Sequence, residues 1–273
     1  MSAPWSLTCG DCLGPTGMAT LGDKSVAHVI TDPPYSRDLY LKFRTNGGSR
    51  FGKTGRNDKQ SATHLALANE EIGAADDVAE PCVQQFVRVT SRWMLIFHDA
   101  ESGDLWRGPL GKLHVRCGIW LKTNPMPQLS GDRPGVGFEA LEIAHQPGRK
   151  RWNSGGRSAV WTFSALQGNF PERQGNTHPC PKPVQLMEAL IADFTDPGDL
   201  ILDPFAGSGT TGVAAIKMGR RFIGWERNPD YYKIAVERLT AARALPTAFF
   251  DDPRQGSLLS DQAPEPTTLE ATK

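Results

Sequence analysis

Two short stretches carry residues whose types and spacing could do chemistry. The first is Ala27 to Ser36, AHVITDPPYS, where an apolar run stops at an acid, then two prolines, then an aromatic. Prolines lack a backbone N–H and fix φ, so this turn cannot join a sheet ladder and its carbonyls stay free. An acid, a pre-set carbonyl and an aromatic face would stand together just beyond a strand end. The second is Asp199 to Gly212, DLILDPFAGSGTTG, which reads as strand, tight glycine turn and helix start. Gly207, Gly209 and Gly212 satisfy GxGxxG, a pattern in which missing Cβ atoms let the backbone turn sharply and a ligand approach it. The helix start at Thr210 offers N–H groups and a positive dipole to an anionic ligand group. Glu226 ends the next apolar run, where a carboxylate can accept both hydroxyls of a ribose. A nucleoside ligand follows. A phosphate-binding P-loop would need GxxxxGK[ST], and no lysine sits there. NAD fits the local pattern, but its second mononucleotide half would have to come from upstream.

The elements that must position these residues are legible as short apolar runs. Val26 to Thr31, Trp93 to Phe97, Cys117 to Leu121, Ala140 to Ala144, Leu200 to Leu202 and Arg221 to Trp225 read as strands covered on both faces. Helical stripes run over Pro183 to Phe194, Thr210 to Met218 and Asp230 to Ala242. Strands alternating with helices give an α/β fold around a doubly wound, mostly parallel sheet. Ligands in such sheets sit outside the carboxyl ends of the strands, so exits at Asp32 and Asp203 can face one cleft whichever comes first in the chain. Ser36 to Thr63 is basic, Gly-rich and without periodicity. Gln146 to Thr177 is Gly/Arg-rich with interspersed aromatics. Asp251 to Lys273 reads as a disordered tail, with Phe249 and Phe250 docking on the body.

The chain has 273 residues, a formal net charge of zero and five cysteines. Its length fits one large domain or one with an insertion. The cysteine pattern fits a reducing cytosol, and Cys9 and Cys12 read as two small buried side chains in a strand, without metal or redox work. No signal peptide opens the sequence and no apolar run is long enough for a bilayer, so a cytoplasmic location is expected.

DPPY together with DPFAGSGTT resembles the S-adenosylmethionine-dependent amino-group DNA methyltransferases. DPPY precedes the glycine turn, and His178 to Pro183, HPCPKP, lies just before it, an order similar to that of the β class. Gly10-Asp11-Cys12 and Gly224 to Asn228, GWERN, resemble further family elements. The resemblance covers roughly Leu7 to Ala242. It implies a Rossmann-like methyltransferase with circularly permuted motif order. Residues 1–250 form the catalytic domain, with 36–63 as a basic mobile loop and 146–177 as a target-recognition insert, and 251–273 are the tail. In this reading Asp203, Phe205, Ala206, Gly207, Ser208, Gly209, Thr210 and Thr211 build the turn for the methionine end of the donor. Lys182 offers its ammonium to the methionine carboxylate, Glu226 takes the ribose hydroxyls with Arg227 and Asn228 beside it, and Asp11 accepts from the donor's adenine amino group.

The reaction so implied moves a methyl from a sulfonium to an exocyclic amino group. The nitrogen lone pair is delocalised into the base ring. Two acceptors on its two N–H bonds, the Asp32 carboxylate and the Pro33 carbonyl, favour the developing cation. Pro34 helps to fix the turn, and Tyr35 stacks on the base, worth roughly 1–3 kcal/mol. The base must leave the duplex, and no metal is required. Arg37, Lys42, Arg44, Lys53 and Arg56 after the catalytic turn, and Arg149, Lys150, Arg151 and Arg157 in the insert, are the candidate DNA contacts. Asn124 and Gln128 could also approach DNA, whereas His98 and the tryptophans read as packing residues. The resemblance implies duplex DNA as partner and a homodimer. Aspartate in DPPY favours adenine-N6, with cytosine-N4 as the nearest alternative. RNA or protein amide methylation, an NAD-dependent oxidoreductase and a non-enzymatic nucleotide-binding module are the further alternatives.

Overall fold

The computed structural model describes residues 4–37, 74–125, 127, 134–166 and 181–244. Among them eight strands form one sheet: β1 (Trp5–Cys9), β2 (His28–Thr31), β3 (Trp93–His98), β4 (His114–Lys122), β5 (Phe138–His145), β6 (Val160–Phe163), β7 (Leu200–Asp203) and β8 (Arg221–Glu226). The helices are α1 (Ala75–Val89), α2 (Gly103–Leu110), α3 (Val184–Phe194), α4 (Thr210–Lys217) and α5 (Pro229–Ala244). The strand order is β1-β8-β7-β2-β3-β5-β4-β6. Only β5 runs against its neighbours β3 and β4; the other pairs are parallel.

Side chains alternate across each strand, so one run feeds two cores. Leu95 and Phe97 of β3 join Trp120, Leu141, Trp161 and the apolar stripe of α3, under α3, α4 and α5. Met94 and Ile96 of the same strand join Val29, Ala144 and Leu202 beneath Phe86 of α1 and Trp106 of α2. The expected strands and helices all form, with ends moved by a residue or two, three at the start of β4. Helices α1 and α2 were not expected. Pro81 and Pro109 lie inside them and break the local pattern, while burial of Ala79, Cys82, Val83 and Phe86 holds α1 in place.

Two expectations need correction. Cys9 is exposed at the end of β1 and only Cys12, in the turn beyond, is buried. The stretch 146–177 is not irregular throughout: Val160–Phe163 forms edge strand β6, because Trp161 buries against the sheet and its indole N–H donates to Asp193 of α3 at 2.8 Å.

Helix α2 is tied to the sheet by a buried charge cluster. Glu142 of β5, with no exposed side-chain surface, lies 2.7 Å from Arg107, 2.6 Å from His114 and 3.3 Å from His98. Burial opposes the His98 imidazolium, but Cys117, Glu142 and the Asp99 carbonyl outweigh it and lift the ring to about 9. Burial likewise opposes the Glu142 carboxylate, and His98 and Arg107 hold it down at about 2. Glu142 and Glu139 differ by an odd number of positions, so this cluster lies across the sheet from Glu139 and the strand exits it faces.

Candidate active site

Strands β2 and β7 pair side by side, with Val29 opposite Leu202, so the two motif-bearing exits are neighbours. Asp203 joins them. It accepts the Thr31 hydroxyl at 2.7 Å, the Phe205 N–H at 3.1 Å and the Thr211 hydroxyl. Burial lifts its carboxyl to about 6 despite those donors. The DPPY turn is also held from its far side. The Ser36 N–H donates to Asp99, beyond β3, at 3.1 Å, and the Tyr35 carbonyl accepts from Ala75 at the start of α1, also at 3.1 Å.

In the glycine turn Gly207 and Gly209 have φ of 53° and 80°, the left-handed region that a side chain disfavours. Gly212 serves packing: a Cβ there would lie 2.6 Å from Leu239 and 2.8 Å from the Phe222 ring. Arg238 of α5 pins the turn from behind, donating to the Ser208 carbonyl at 2.5 Å and hydroxyl at 2.9 Å. Glu226 accepts the N–H groups of Gly207 at 2.8 Å and Asn228 at 2.7 Å, and burial raises its carboxyl above the ordinary value. Asn228 caps α5 through the N–H of Asp230 at 2.9 Å, and Arg227 is exposed. Asp11 follows β1, whose Cys9 lies opposite Glu226, and its carboxylate accepts the Leu13 N–H at 2.9 Å. Asp32, Pro181, Lys182, Met187, Asp203, Phe205, Ala206, Gly207, Ser208, Thr210 and Thr211 line one cleft.

At its centre lies a charge network. Lys182 reaches Asp32 Oδ2 at 2.5 Å, Glu139 Oε2 at 3.0 Å and the Tyr35 hydroxyl at 3.1 Å. Tyr35 donates to Glu139 at 2.6 Å, and Lys122 pairs with Glu139 at 2.7 Å. Burial opposes the Glu139 carboxylate, but Lys182 and Lys122 hold it at about 2. Burial raises the Asp32 carboxyl and Lys182 only partly reverses that. Asp32 Oδ1 is buried and has no hydrogen-bond partner among the described residues.

The sequence reading missed Glu139, Lys122 and Arg238, and the rings of Phe97 and Trp120, whose centres lie 5.2 and 6.0 Å from the Lys182 nitrogen. The one local signal was Glu139 as an acid at the head of the apolar run FEALEIAH. Arg238 is one charge among several on α5 until the helix docks.

The proposed DNA contacts divide. Lys42, Arg44, Lys53, Arg56 and Gln128 lie outside the described residues, as do His178, Phe249, Phe250 and the tail. Arg37 pairs with Asp77 at 2.8 Å on the surface. Arg149, Lys150 and Arg151 are not brought to the cleft. Antiparallel β5 passes the cleft at Glu139, its second residue, and ends at His145 opposite Trp93, the first residue of β3, so these residues emerge at the far end, about 20 Å away at ~3.4 Å per residue. Arg151 pairs with Asp196 at 3.1 Å, and Arg157, which precedes β6 at that same end, lies 3.7 Å from Asp193. The Asn124 amide holds Ala165 in both directions, at 3.0 and 2.7 Å.

Comparison with known proteins agrees with this geometry. The N6_N4_Mtase family, described as DNA methylase, matches residues 117–237. The Type II methyltransferase M2.DpnII of Streptococcus pneumoniae is 40% identical over 245 residues, 82% of this chain and 86% of that protein. The Type II methyltransferase M.HinfI of Haemophilus influenzae is 26% identical over 264 residues, 87% and 68% respectively. The crystal structure of an M1.HpyAVI-SAM complex superimposes with a TM-score of 0.58 at 22% identity, covering 86% of this chain and 98% of that one. The chain belongs to the amino-group (N6/N4) DNA methyltransferases, with the β-class order of DPPY before the glycine turn.

Proposed function

We propose that the chain transfers a methyl group from S-adenosylmethionine to N6 of an adenine flipped out of duplex DNA. The observation that carries this reading is the Asp32 carboxylate, which lines the cleft it shares with the glycine turn and keeps Oδ1 buried without a partner among the described residues. A buried acceptor left open calls for a donor, and an exocyclic amino group supplies one. The donor molecule also fits the residues present. The left-handed turn at Gly207 and Gly209 brings backbone close, Phe205 and Met187 offer apolar surface, and Glu226, bonded to the Gly207 N–H, is the acid assigned to the ribose hydroxyls.

Bound there, S-adenosylmethionine supplies a methyl activated by its sulfonium. The chain's own residues prepare the nitrogen. Asp32 Oδ1 accepts one N–H and the Pro33 carbonyl the other, favouring the pyramidal nitrogen that develops positive charge. The nitrogen gains the methyl and loses one proton, and Asp32, already bonded to it, is placed to take that proton. Tyr35 presents its ring to the base, with its hydroxyl tied to Glu139. Aspartate at the head of the motif supports adenine over cytosine. The active species in this reading is a cytoplasmic homodimer, testable by sedimentation of the purified chain.

Incubating unmethylated plasmid with labelled S-adenosylmethionine and digesting to nucleosides tests the reading. Label is expected in N6-methyladenine; label confined to N4-methylcytosine would overturn the choice of base. Asp32→Ala is expected to abolish turnover while sparing DNA binding.

A further inference from the structure

An ammonium has three N–H donors, and Lys182 spends them inside the site, on Asp32 Oδ2, Glu139 Oε2 and the Tyr35 hydroxyl. Its side chain is 8% exposed. The rings of Phe97, Tyr35 and Trp120 surround its nitrogen at 5.2, 5.5 and 6.0 Å, within cation–π range. Nothing is left over for a ligand carboxylate while these bonds stand. Among the described residues, Asp32 Oδ1 is the buried oxygen of the network left without a hydrogen-bond partner.

We infer that Lys182 is a positioning residue for Asp32: it grips Oδ2, keeps the carboxylate charged and leaves Oδ1 as the acceptor for the target amino group. Glu139 and Tyr35 hold Lys182 in turn, and Lys122 holds Glu139. The inference rests on the reading of Asp32 as the amino-group acceptor and replaces the expectation that Lys182 binds the methionine carboxylate.

The groups that face Asp32 fix the sign of the test. They are Lys182 ahead of α3, Glu139 of β5, Tyr35 of the same turn and Asp203 of β7, with Lys122 of β4 one pair further out. Without Lys182, Asp32 faces two acids in a partly dry site and takes up a proton at higher pH. Without the Glu139 charge, it is relieved of one of them and stays ionised to lower pH.

The full chain would be compared with Lys182→Met, Lys182→Arg and Glu139→Gln. Binding of S-adenosylmethionine is read by calorimetry without DNA, and kcat against pH with saturating DNA. Lys182→Met should bind the donor within about threefold of wild type, because its carboxylate does not use the lysine. Its kcat at neutral pH should fall by about 100-fold, with the acid limb moved up by about one pH unit or more. Lys182→Arg should return the limb most of the way, and Glu139→Gln should move it down. If Lys182→Met does not fold, as shown by absent donor binding and a lost melting transition, the opposite displacements of Glu139→Gln and Lys182→Arg carry the test. Donor binding weakened tenfold or more with an unmoved limb would assign the lysine to the methionine carboxylate and overturn the inference, as would limbs unmoved in every variant. Asp32→Ala run in the same assays separates the two readings, because activity retained there removes the acceptor assignment itself.

Discussion

The Glu142 cluster makes a prediction about stability that is independent of catalysis. Glu142→Gln keeps the shape of the side chain and removes its charge. Of its three partners, Arg107 and His98 then lose their counter-ion and His114 loses the carboxylate beside it, and the His98 side chain is 2% exposed. Removing one partner of a buried pair costs roughly 3–5 kcal/mol. For a domain of this size 1 kcal/mol shifts Tm by about 2–4 °C, so a fall of roughly 10 °C is expected. The pH dependence gives a sharper sign. His98 is raised from 6.5 to about 9 in the fold, so its contribution is complete below pH 6.5 and is lost as pH rises through about 9. Each pH unit between folded and unfolded values is ~1.4 kcal/mol, so this contribution is on the order of 3 kcal/mol. Glu142 is lowered from 4.5 to about 2, so its contribution is complete above pH 4.5 and lost as pH falls through about 2. Thermal melts of wild type and Glu142→Gln between pH 5 and 10 should therefore converge as pH rises from 6.5 to 9. The specific activity of the folded variant should be nearly unchanged, since the cluster lies across the sheet from the cleft. Parallel curves throughout that window, or a difference below about 2 °C at pH 6, would refute the assignment.

Three further outcomes are expected. Tyr35→Phe removes the hydroxyl that joins Glu139 and Lys182 but keeps the ring, so it should lower stability by about 1.5–3 kcal/mol and spare base flipping. Tyr35→Ala should add a loss of roughly 1–3 kcal/mol in base stacking, read as reduced 2-aminopurine fluorescence at the target; equal signals in the two variants would remove the stacking role. Gly209→Ala places a side chain at φ 80° with its Cβ 3.1 Å from Ala235, costing about 1–2 kcal/mol, and calorimetry should show weaker donor binding than wild type. Alanine at Arg149, Lys150 and Arg151 together should leave duplex affinity within about twofold and its salt slope unchanged; a tenfold loss would show that DNA wraps to the far end of the sheet.

What the sequence made legible was whatever is written in contiguous residues. Buried strands announce themselves as runs such as WMLIFH, and the glycine turn is bracketed by its own strand and helix. The cleft followed, because parallel strands place their exits at one end. Three of the acids that tie the fold together, Asp203, Glu139 and Glu142, were not equally visible. Asp203 stands in a motif, whereas Glu139 and Glu142 stand three residues apart in one strand and face opposite cores. No local pattern separates the acid that holds Tyr35 from the acid that holds α2; only the direction of β5 does. The same reversal decides where the basic cluster emerges. A parallel β5 would have delivered Arg149 to Arg151 to the cleft, and an antiparallel one delivers them to the opposite end.

The freedom of motif order has a physical counterpart in Asp203. Donor site and acceptor site are 171 residues apart between Asp32 and Asp203, yet adjacent in the sheet through the pairing of β2 with β7. Pairing alone would align the two strands without fixing the turns beyond them. Asp203 fixes those turns, since one of its oxygens takes Thr31 just before DPPY and Phe205 within the glycine turn, and Thr211 binds from α4. All three are donors, so the carboxyl is best satisfied when ionised, although burial lifts it to about 6. Protonation would leave one donor facing an O–H, and both turns would loosen together. A fall in donor binding and in turnover through the same acid step near pH 6 is therefore the signature expected of Asp203, whereas the acid limb set by Asp32 should appear in turnover and leave donor binding unmoved. Asp203→Asn, which offers one acceptor oxygen at all pH values, should abolish the step in donor binding; persistence of that step in the variant would assign it elsewhere.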